Sequence, residues 1–550
     1  MSAPRTSLET VLAYHERTKH FPGRYARALG YLDWATQPNP FRRFQGAPLL
    51  PLELVPVGDE PRYERAFVLG SVPPAPLDRR LVSQLLHDSL ALSAWKEVGN
   101  SRWSLRVNPS SGNLHPTEGY LVAGTIAGLH QRPAVYHYAP REHALELRAE
   151  VSEAAWAQLS ASLPADALLI GLTSIHWREA WKYGERAFRY CQHDAGHAIG
   201  ALAVAAAGLG WGARLCEGIA DRELAALLGV HDQGGIEAEH PECVVLVAPP
   251  TSGLQFETRR SFALPDPFPG GAHPAWSGVP NRLSKDHHSW PVMDEVTLAT
   301  EQTGARGYVR GKPFQLDNLS LEIGDAPIPL RRIIQQRRSA VALDGRTGIT
   351  RAAFYQILLK AMPGAKQVPF TAVPWRPCID LLLFVHRVEG VEPGLYVLLR
   401  DPSRERALRA ELDPRFLWVR PSHCPVSLPL FLLEAGDARA IAQRTSCDQE
   451  IAADGAFAAA MLAEFRGPLE QLGPWFYRCL HWETGVLGQV LYLEAEASGI
   501  RATGIGCFFD DATHHVFGLA GNAFQVLYHF TMGGAVDDPR LQTAPPYAIP

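Results

Sequence analysis

"GHAIGALAVAAAGLGWGARLCEGIADRELAALLG" occupies residues 196–229, and "GVLGQVLYLEAEASGIRATGIGCFFDDATHHVFG" occupies residues 485–518. The second follows the first by 289 residues without a gap. That shift superposes Gly196 on Gly485, Gly210 on Gly499, Ala213 on Ala502 and Gly229 on Gly518. Upstream it also carries Arg189 onto Arg478 and Gly184 onto Gly473. Each copy reads as a long apolar helix with a glycine-terminated end, followed by a short helix. Six identities in the same apolar setting point to an internal duplication, so the chain is two related halves.

Other stretches pair at other offsets, as loops of unequal length require. "ETVLAYHERTKHFPG" (9–23) resembles "RRIIQQRRSAVALDG" (331–345), and "YLVAGTIAG" (120–128) resembles "LLLFVHRVEG" (381–390). Between the halves, "ALPDPFPGGAHPAWSGVPNRLSKDHHSWP" (263–291) is rich in Pro and Gly, lacks helical periodicity and reads as a linker. The expected division is residues 1–255, a linker at 256–325, and residues 326–550. Within each half, helices interleave with strands such as "CVVLVAP" and "FQVLYHFTMG" through irregular connections. That pattern predicts an α+β fold rather than a doubly wound sheet.

At 550 residues, 46% of them hydrophobic and 20% charged, the chain has ample material for sizeable cores. A formal charge of −5 and the lack of a long basic run argue against nucleic acid as a partner. The N-terminus has no apolar stretch like a signal peptide, and no run is long enough to span a bilayer, so a cytoplasmic location is the expectation. Eight cysteines without a CxxC pair suit buried thiols in a reducing compartment and argue against a disulfide framework. Histidines are numerous, but none has the spacing of a metal site; His193 and His197 share a helical face without a third ligand. No metal is expected.

Two stretches could carry chemistry. In "NPSSGNLHPTEGY" (108–120), Pro109 and Pro116 restrict the backbone and Gly112 permits an unusual turn. Ser110, Ser111 and Asn113 then converge short polar side chains on a small planar ligand, although the same residue types build ordinary turns. In "QQRRSAVALDG" (335–345), Arg337 and Arg338 at a helix start can clamp a phosphate through forked, charge-assisted hydrogen bonds, with Ser339 adding a neutral one. "GLGWGA" (208–213) also fits the GxGxxA dinucleotide pattern, but a helical run precedes it, so its glycines are expected to end a helix.

"PSSGNLHP" resembles the Pro-Ser-Ser-x-Asn-x-Gln-Pro loop of the nitroreductase family of flavoproteins, and "NPSSGNLHPTEGYLV" resembles its azoline-oxidase branch, the SagB-type dehydrogenases. "QQRRSAVALDG" is similar to the family's opening Arg-Arg-Ser, and "LYHFTMGGAVDDPRL" to its last strand and tail. The resemblance covers most of residues 5–250 and 325–545. It implies two nitroreductase-like domains in tandem, closing as an intramolecular pseudo-dimer in a monomeric chain. It also implies FMN at the interface: Arg337, Arg338 and Ser339 on the phosphate, and Pro109, Ser110, Ser111 and Asn113 at the ring. Gly504, Ile505 and Gly506 would give backbone groups near the ring, and Arg540 or Arg501 positive charge. His115 stands where the family often has Gln or Tyr.

Aligning Leu121 with Leu381 puts Phe370, Thr371 and Val373 opposite Ser110, Ser111 and Asn113, so the second half's loop is degenerate. The opposite site would keep Arg17, Thr18 and Lys19 but lack a ring loop; one good flavin site per chain is expected. The implied activity is that of an FMN-dependent oxidoreductase acting by hydride transfer on a small-molecule or peptide substrate, with NAD(P)H as a candidate electron donor. No Lys-Tyr pair adjoins the loop to match the azoline-oxidase catalytic residues, which leaves the catalytic residues unassigned. The alternative is a flavin- or peptide-binding protein without turnover.

Overall fold

The computed structural model describes residues 5–250, 273–304 and 328–547. Two long helices form its centre, Ala187–Gly208 and Phe476–Ala497. Their bounds differ by the same 289 residues that relate the two sequence stretches. Nearly every residue of both is buried, which matches their lack of a polar face. They cross where Gly196 meets Gly485. A Cβ on Gly485 would lie 2.7 Å from the Gly196 Cα, so only glycine lets the backbones come this close. Gly210 and Gly499, with φ of +74° and +72°, turn the chain out of each helix. The strands Gly212–Leu215 and Arg501–Ile505 follow, then the helices Asp221–Leu228 and Asp510–Phe517. Helix followed by strand is the reverse of the dinucleotide fingerprint, so the glycines of "GLGWGA" end a helix.

Each half adds an antiparallel sheet. In the first, the order is Leu49–Pro51, Ala144–Glu150, Ala134–Ala139, Thr117–Ala123, Leu168–Ser174, His240–Ala248 and Gly212–Leu215. In the second, it is Leu430–Ala435, Gly394–Leu398, Ile379–Val385, Phe457–Glu464, Phe524–Gly533 and Arg501–Ile505. The two orders coincide apart from the extra edge strand of the first. The fold is α+β, with a second domain in the C-terminal half. One apolar core runs through both halves, joining Ile199 and Leu202 to Leu487 and Val490.

Among the ion pairs that cross between the halves, two are related by the duplication. Arg189 binds Asp510 at 2.9 Å and Arg478 binds Asp221 at 2.9 Å. The 289-residue shift converts one pair into the other. The C-terminal strand Gln542–Ala544 also crosses, pairing with Leu92–Val98 of the hairpin Leu92–Arg106.

Three sequence expectations need correction. Part of the linker lies outside the described residues, but 273–304 is ordered structure. It holds the helix Pro291–Ala299, and Val279 and Pro280 pair with Gln45 and Phe44. Ser284 accepts the Trp177 indole N–H at 2.7 Å, which ties the segment to the first half. Second, pairing register rather than loop length sets the equivalence of the sheets. Leu121 opposes Ile170, whereas Leu383 opposes Ala459, the residue 289 beyond Ile170. Leu121 therefore matches Leu383 and not Leu381, and Ala372, Val373 and Trp375 stand opposite Ser110, Ser111 and Asn113. The second loop remains without the serines and the asparagine. Third, Arg17, Thr18 and Lys19 form no phosphate cleft. Arg17 is paired with Glu185 at 2.6 Å, the Thr18 hydroxyl donates to the Tyr14 carbonyl, and Lys19 is paired with Asp511 at 2.8 Å.

Candidate functional site

A cavity of about 420 Å³ opens between the halves. Pro109, Ser110, Ser111 and Asn113 reach it from the first half, and Arg337, Arg338, Ser339, Gly504, Ile505 and Gly506 from the second. Its volume falls in the usual range for small-molecule sites. Arg540 does not reach it: that side chain is exposed and forms a forked pair with Asp538 at 2.7 Å. Arg501, paired with Asp537 at 2.6 Å, and Lys96 line the cavity instead.

The serine loop is held in shape by its own polar groups. Gly112, Asn113 and His115 all have positive φ, a conformation favoured by glycine and tolerated by Asn and His. Ser110 Oγ accepts the His115 backbone N–H at 2.8 Å, and Asn113 Nδ2 donates to the Ser104 carbonyl at 2.9 Å. Buried Asp194, on the first long helix, accepts the Ser111 backbone N–H at 3.0 Å and its hydroxyl at 3.2 Å. Burial pushes the Asp194 carboxyl up to about 7, against the pull of the two serines. Glu179, fully buried 3.5 Å from Ser110 Oγ, is pushed well above the carboxylate range by burial and by the Asp194 charge. His115 is held well below its ordinary value by burial and by Arg106, so its ring is neutral.

The arginines stand at the C-terminal end of the helix Leu330–Gln336, not at a helix start as expected, so their side chains and not the helix dipole would attract a phosphate. Arg337 Nη2 donates to the carbonyls of Arg106 and Val107 at 3.0 and 3.2 Å, which stitches this terminus to the strand leading into the serine loop. Arg338 Nη2 donates to the Ser93 carbonyl at 2.9 Å, and its Nη1 to the Gln335 and Arg337 carbonyls. Burial, with Arg337 adjacent, lowers the Arg338 guanidinium to about 10, still charged at neutral pH. Tyr492 joins the parts: its hydroxyl lies 2.9 Å from Ser339 Oγ and accepts the Gly504 N–H at 3.0 Å. At Gly504 and Gly506 a Cβ would overlap Tyr528 and Tyr190, so these backbone groups meet aromatic walls with nothing in between.

The donor set fits a phosphorylated flat aromatic such as FMN. Cations cluster at one end of the cavity, while short hydroxyls, an amide and backbone N–H groups line the remainder. Buried Arg337 Nε and Asn108 Oδ1 have no protein partner, as expected where a polar ligand completes a site.

Sequence reading missed several of the cavity's residues. Asp194, Tyr190, Tyr492 and Tyr528 line it but look like helix and strand interior in the sequence. Lys182 and Tyr183 lie about seventy residues beyond the serine loop, and folding brings Tyr183 against Gly112 in the cavity wall. The Lys182 ammonium lies 5.2 Å from the centre of that ring. Burial, followed by the Glu179 charge, pushes the Tyr183 hydroxyl well up.

Under the 289-residue shift, 504–506 become Leu215, Cys216 and Glu217. Cys216 and Glu217 border a cavity of only about 30 Å³, which Trp475 and Trp482 also line. Among the described residues no group of His, Cys, Asp and Glu could hold a metal ion, and no helix is long and apolar enough to cross a membrane.

Residues 73–248 match the nitroreductase family model. A solved structure assigned as a nitroreductase, from Anabaena variabilis, superposes with a TM-score of 0.67 at 23% identity, covering 97% of this chain and 100% of that one. Another, from Ralstonia eutropha, covers 42% of this chain and 91% of its own length at 14% identity, with a TM-score of 0.26. The Escherichia coli microcin synthetase McbBCD complex with truncated pro-MccB17 includes a chain covered over 92%, matching 44% of this one at 18% identity and a TM-score of 0.27. No curated protein matches. Residues 73–248 thus match the nitroreductase family model, and the fold that extends across both halves is nitroreductase-like.

Proposed function

We propose that this chain is an FMN-dependent oxidoreductase whose two halves act as an internal dimer around one flavin site. The observation that carries the reading is the 420 Å³ cavity walled by the serine loop of one half and the arginines of the other. Arg337, Arg338 and Ser339 would hold the phosphate; Ser110, Ser111, Asn113 and the backbone of 504–506 would hold the ring. When bound, FMN supplies reversible two-electron chemistry as a hydride acceptor or donor. The protein orients it, keeps cations nearby and shields the site from water. The 30 Å³ remnant at the matching place supports one flavin per chain.

Within that reading, Lys182 and Tyr183 take the place of the azoline-oxidase catalytic pair, with Tyr183 exchanging a proton with the substrate. This favours a heterocycle-bearing peptide as substrate over a nitroaromatic. The purified protein should be yellow and contain about one FMN per chain. Under anaerobic conditions, a thiazoline- or oxazoline-bearing peptide should bleach it. Bleaching by NADH or NADPH alone would point to a nitroreductase-type reaction. Bound flavin that none of these reduces would leave a binding protein, and failure to take up FMN would overturn the proposal.

A further inference from the structure

Cys447 and Cys507 are sixty residues apart in sequence, yet their Sγ atoms share a hydrogen bond at 2.8 Å. Cys507 follows the 504–506 backbone and lines the cavity, and both thiols are half-buried. The other cysteines differ: five are buried, and half-buried Cys424 makes its contacts to the Pro425 and Leu428 carbonyls.

The surrounding structure holds the two thiols together. Cys447 and Asp448 have φ of +56° and +58°, consecutive left-handed conformations that Asp tolerates and Cys does not favour. Gln449 Nε2 donates to the Ser446 carbonyl at 2.8 Å and to the Cys507 carbonyl at 3.0 Å, bridging the two segments. Arg186 Nη2 donates to the Gly506 carbonyl at 3.1 Å, which places a guanidinium beside Cys507. Closing from 2.8 Å to a disulfide of about 2.05 Å needs a movement of less than about 1 Å.

We propose that Cys447 and Cys507 form a dithiol–disulfide exchange site in the cavity wall, with Cys507 attacking a small disulfide and Cys447 resolving the product. The Cys507 thiolate attacks one sulfur of RS–SR; that S–S bond breaks, and RS⁻ leaves and takes up a proton. Cys447 then loses its proton and attacks the Cys507 sulfur of the mixed disulfide, expelling the second RS⁻, which is protonated in turn. The two protein thiols are oxidised by two electrons, and one small disulfide is reduced to two thiols. The asymmetry of the pair agrees: its hydrogen bond with Cys447 and then the nearby His20 draw the Cys507 thiol below its ordinary value, while the same contact raises Cys447. The exchange itself needs no flavin, so a failure to bind FMN would not remove it.

The test uses the full-length protein, pre-reduced, with oxidised glutathione as probe, followed by alkylation under denaturing conditions, digestion and mass spectrometry. The expected result is a peptide pair cross-linked through Cys447 and Cys507 and reversed by dithiothreitol, with two alkylatable thiols lost and Cys424 still alkylated. Cys447→Ser should accumulate glutathione on Cys507. Alkylation of both thiols without a cross-link would overturn the proposal. So would glutathione accumulating on Cys447 in Cys507→Ser but not on Cys507 in Cys447→Ser. The wild-type measurement stands whether or not the variants fold.

Discussion

At the scale of single residues, charge and hydrogen bonding at the cavity make separable predictions. Arg338→Ala removes a charged donor and should weaken FMN binding by about 1.5–3 kcal/mol, read by titration of flavin fluorescence. Arg17→Ala serves as the control, because Arg17 is occupied by Glu185 on the surface; an equal loss there would reject the assignment of halves. Tyr183→Phe should retain flavin yet slow anaerobic flavin reduction by an azoline peptide by about 10²–10⁴-fold, the range for a general acid or base. Asp194 is protonated more readily in the folded chain, at about 7, than in the unfolded one, where 3.8 applies. Between those values the native state holds the extra proton, so this group's contribution to stability falls as pH rises from about 4 to 7. Asp194→Asn should remove that fall, worth of order 4 kcal/mol, in denaturant melts across this range. The serines, the asparagine and the arginines that line the cavity stood out in the sequence because each group sits in a short polar motif. Asp194 and Tyr183 did not, since only packing shows which side of a buried helix faces a cavity.

At the scale of elements, the crossing of the long helices decides how the halves meet. Gly485→Ala would push a methyl group into the His193 carbonyl and the Gly196 backbone. It should cost about 1–3 kcal/mol in chemical denaturation, as overpacking does. Gly499→Ala has open space around its Cβ and a φ of +72°, so it should cost only about 1 kcal/mol. A larger loss at Gly499 would mean that the helix ends, not the crossing, hold the halves together. The long helix, its glycine end and the short helix beyond were readable here because both copies keep the same glycines, whereas the strands Gly212–Leu215 and Arg501–Ile505 between them were not. The register of Ile379–Val385 was not: a shift of two residues keeps the same face of a strand toward the core, so the apolar pattern of "LLLFV" fits either alignment.

At the scale of the whole molecule, the reading predicts that purified, FMN-saturated protein carries about one flavin per chain by absorbance after denaturation; a ratio near two would require a second site where only about 30 Å³ is present. The α+β class, the internal repeat and the placing of the serine motif in one half and the arginine motif in the other were readable from sequence alone. They depend on residue identity and local periodicity, and a repeat of 289 residues preserves both. Folding alone decided which distant groups meet: the crossed Arg189–Asp510 and Arg478–Asp221 pairs, the strand Gln542–Ala544 on the first half's hairpin, Tyr183 beside Gly112, and Cys447 against Cys507. Those juxtapositions leave no local pattern, because each one arises from two buried surfaces closing on one another rather than from the neighbours of either residue in the chain.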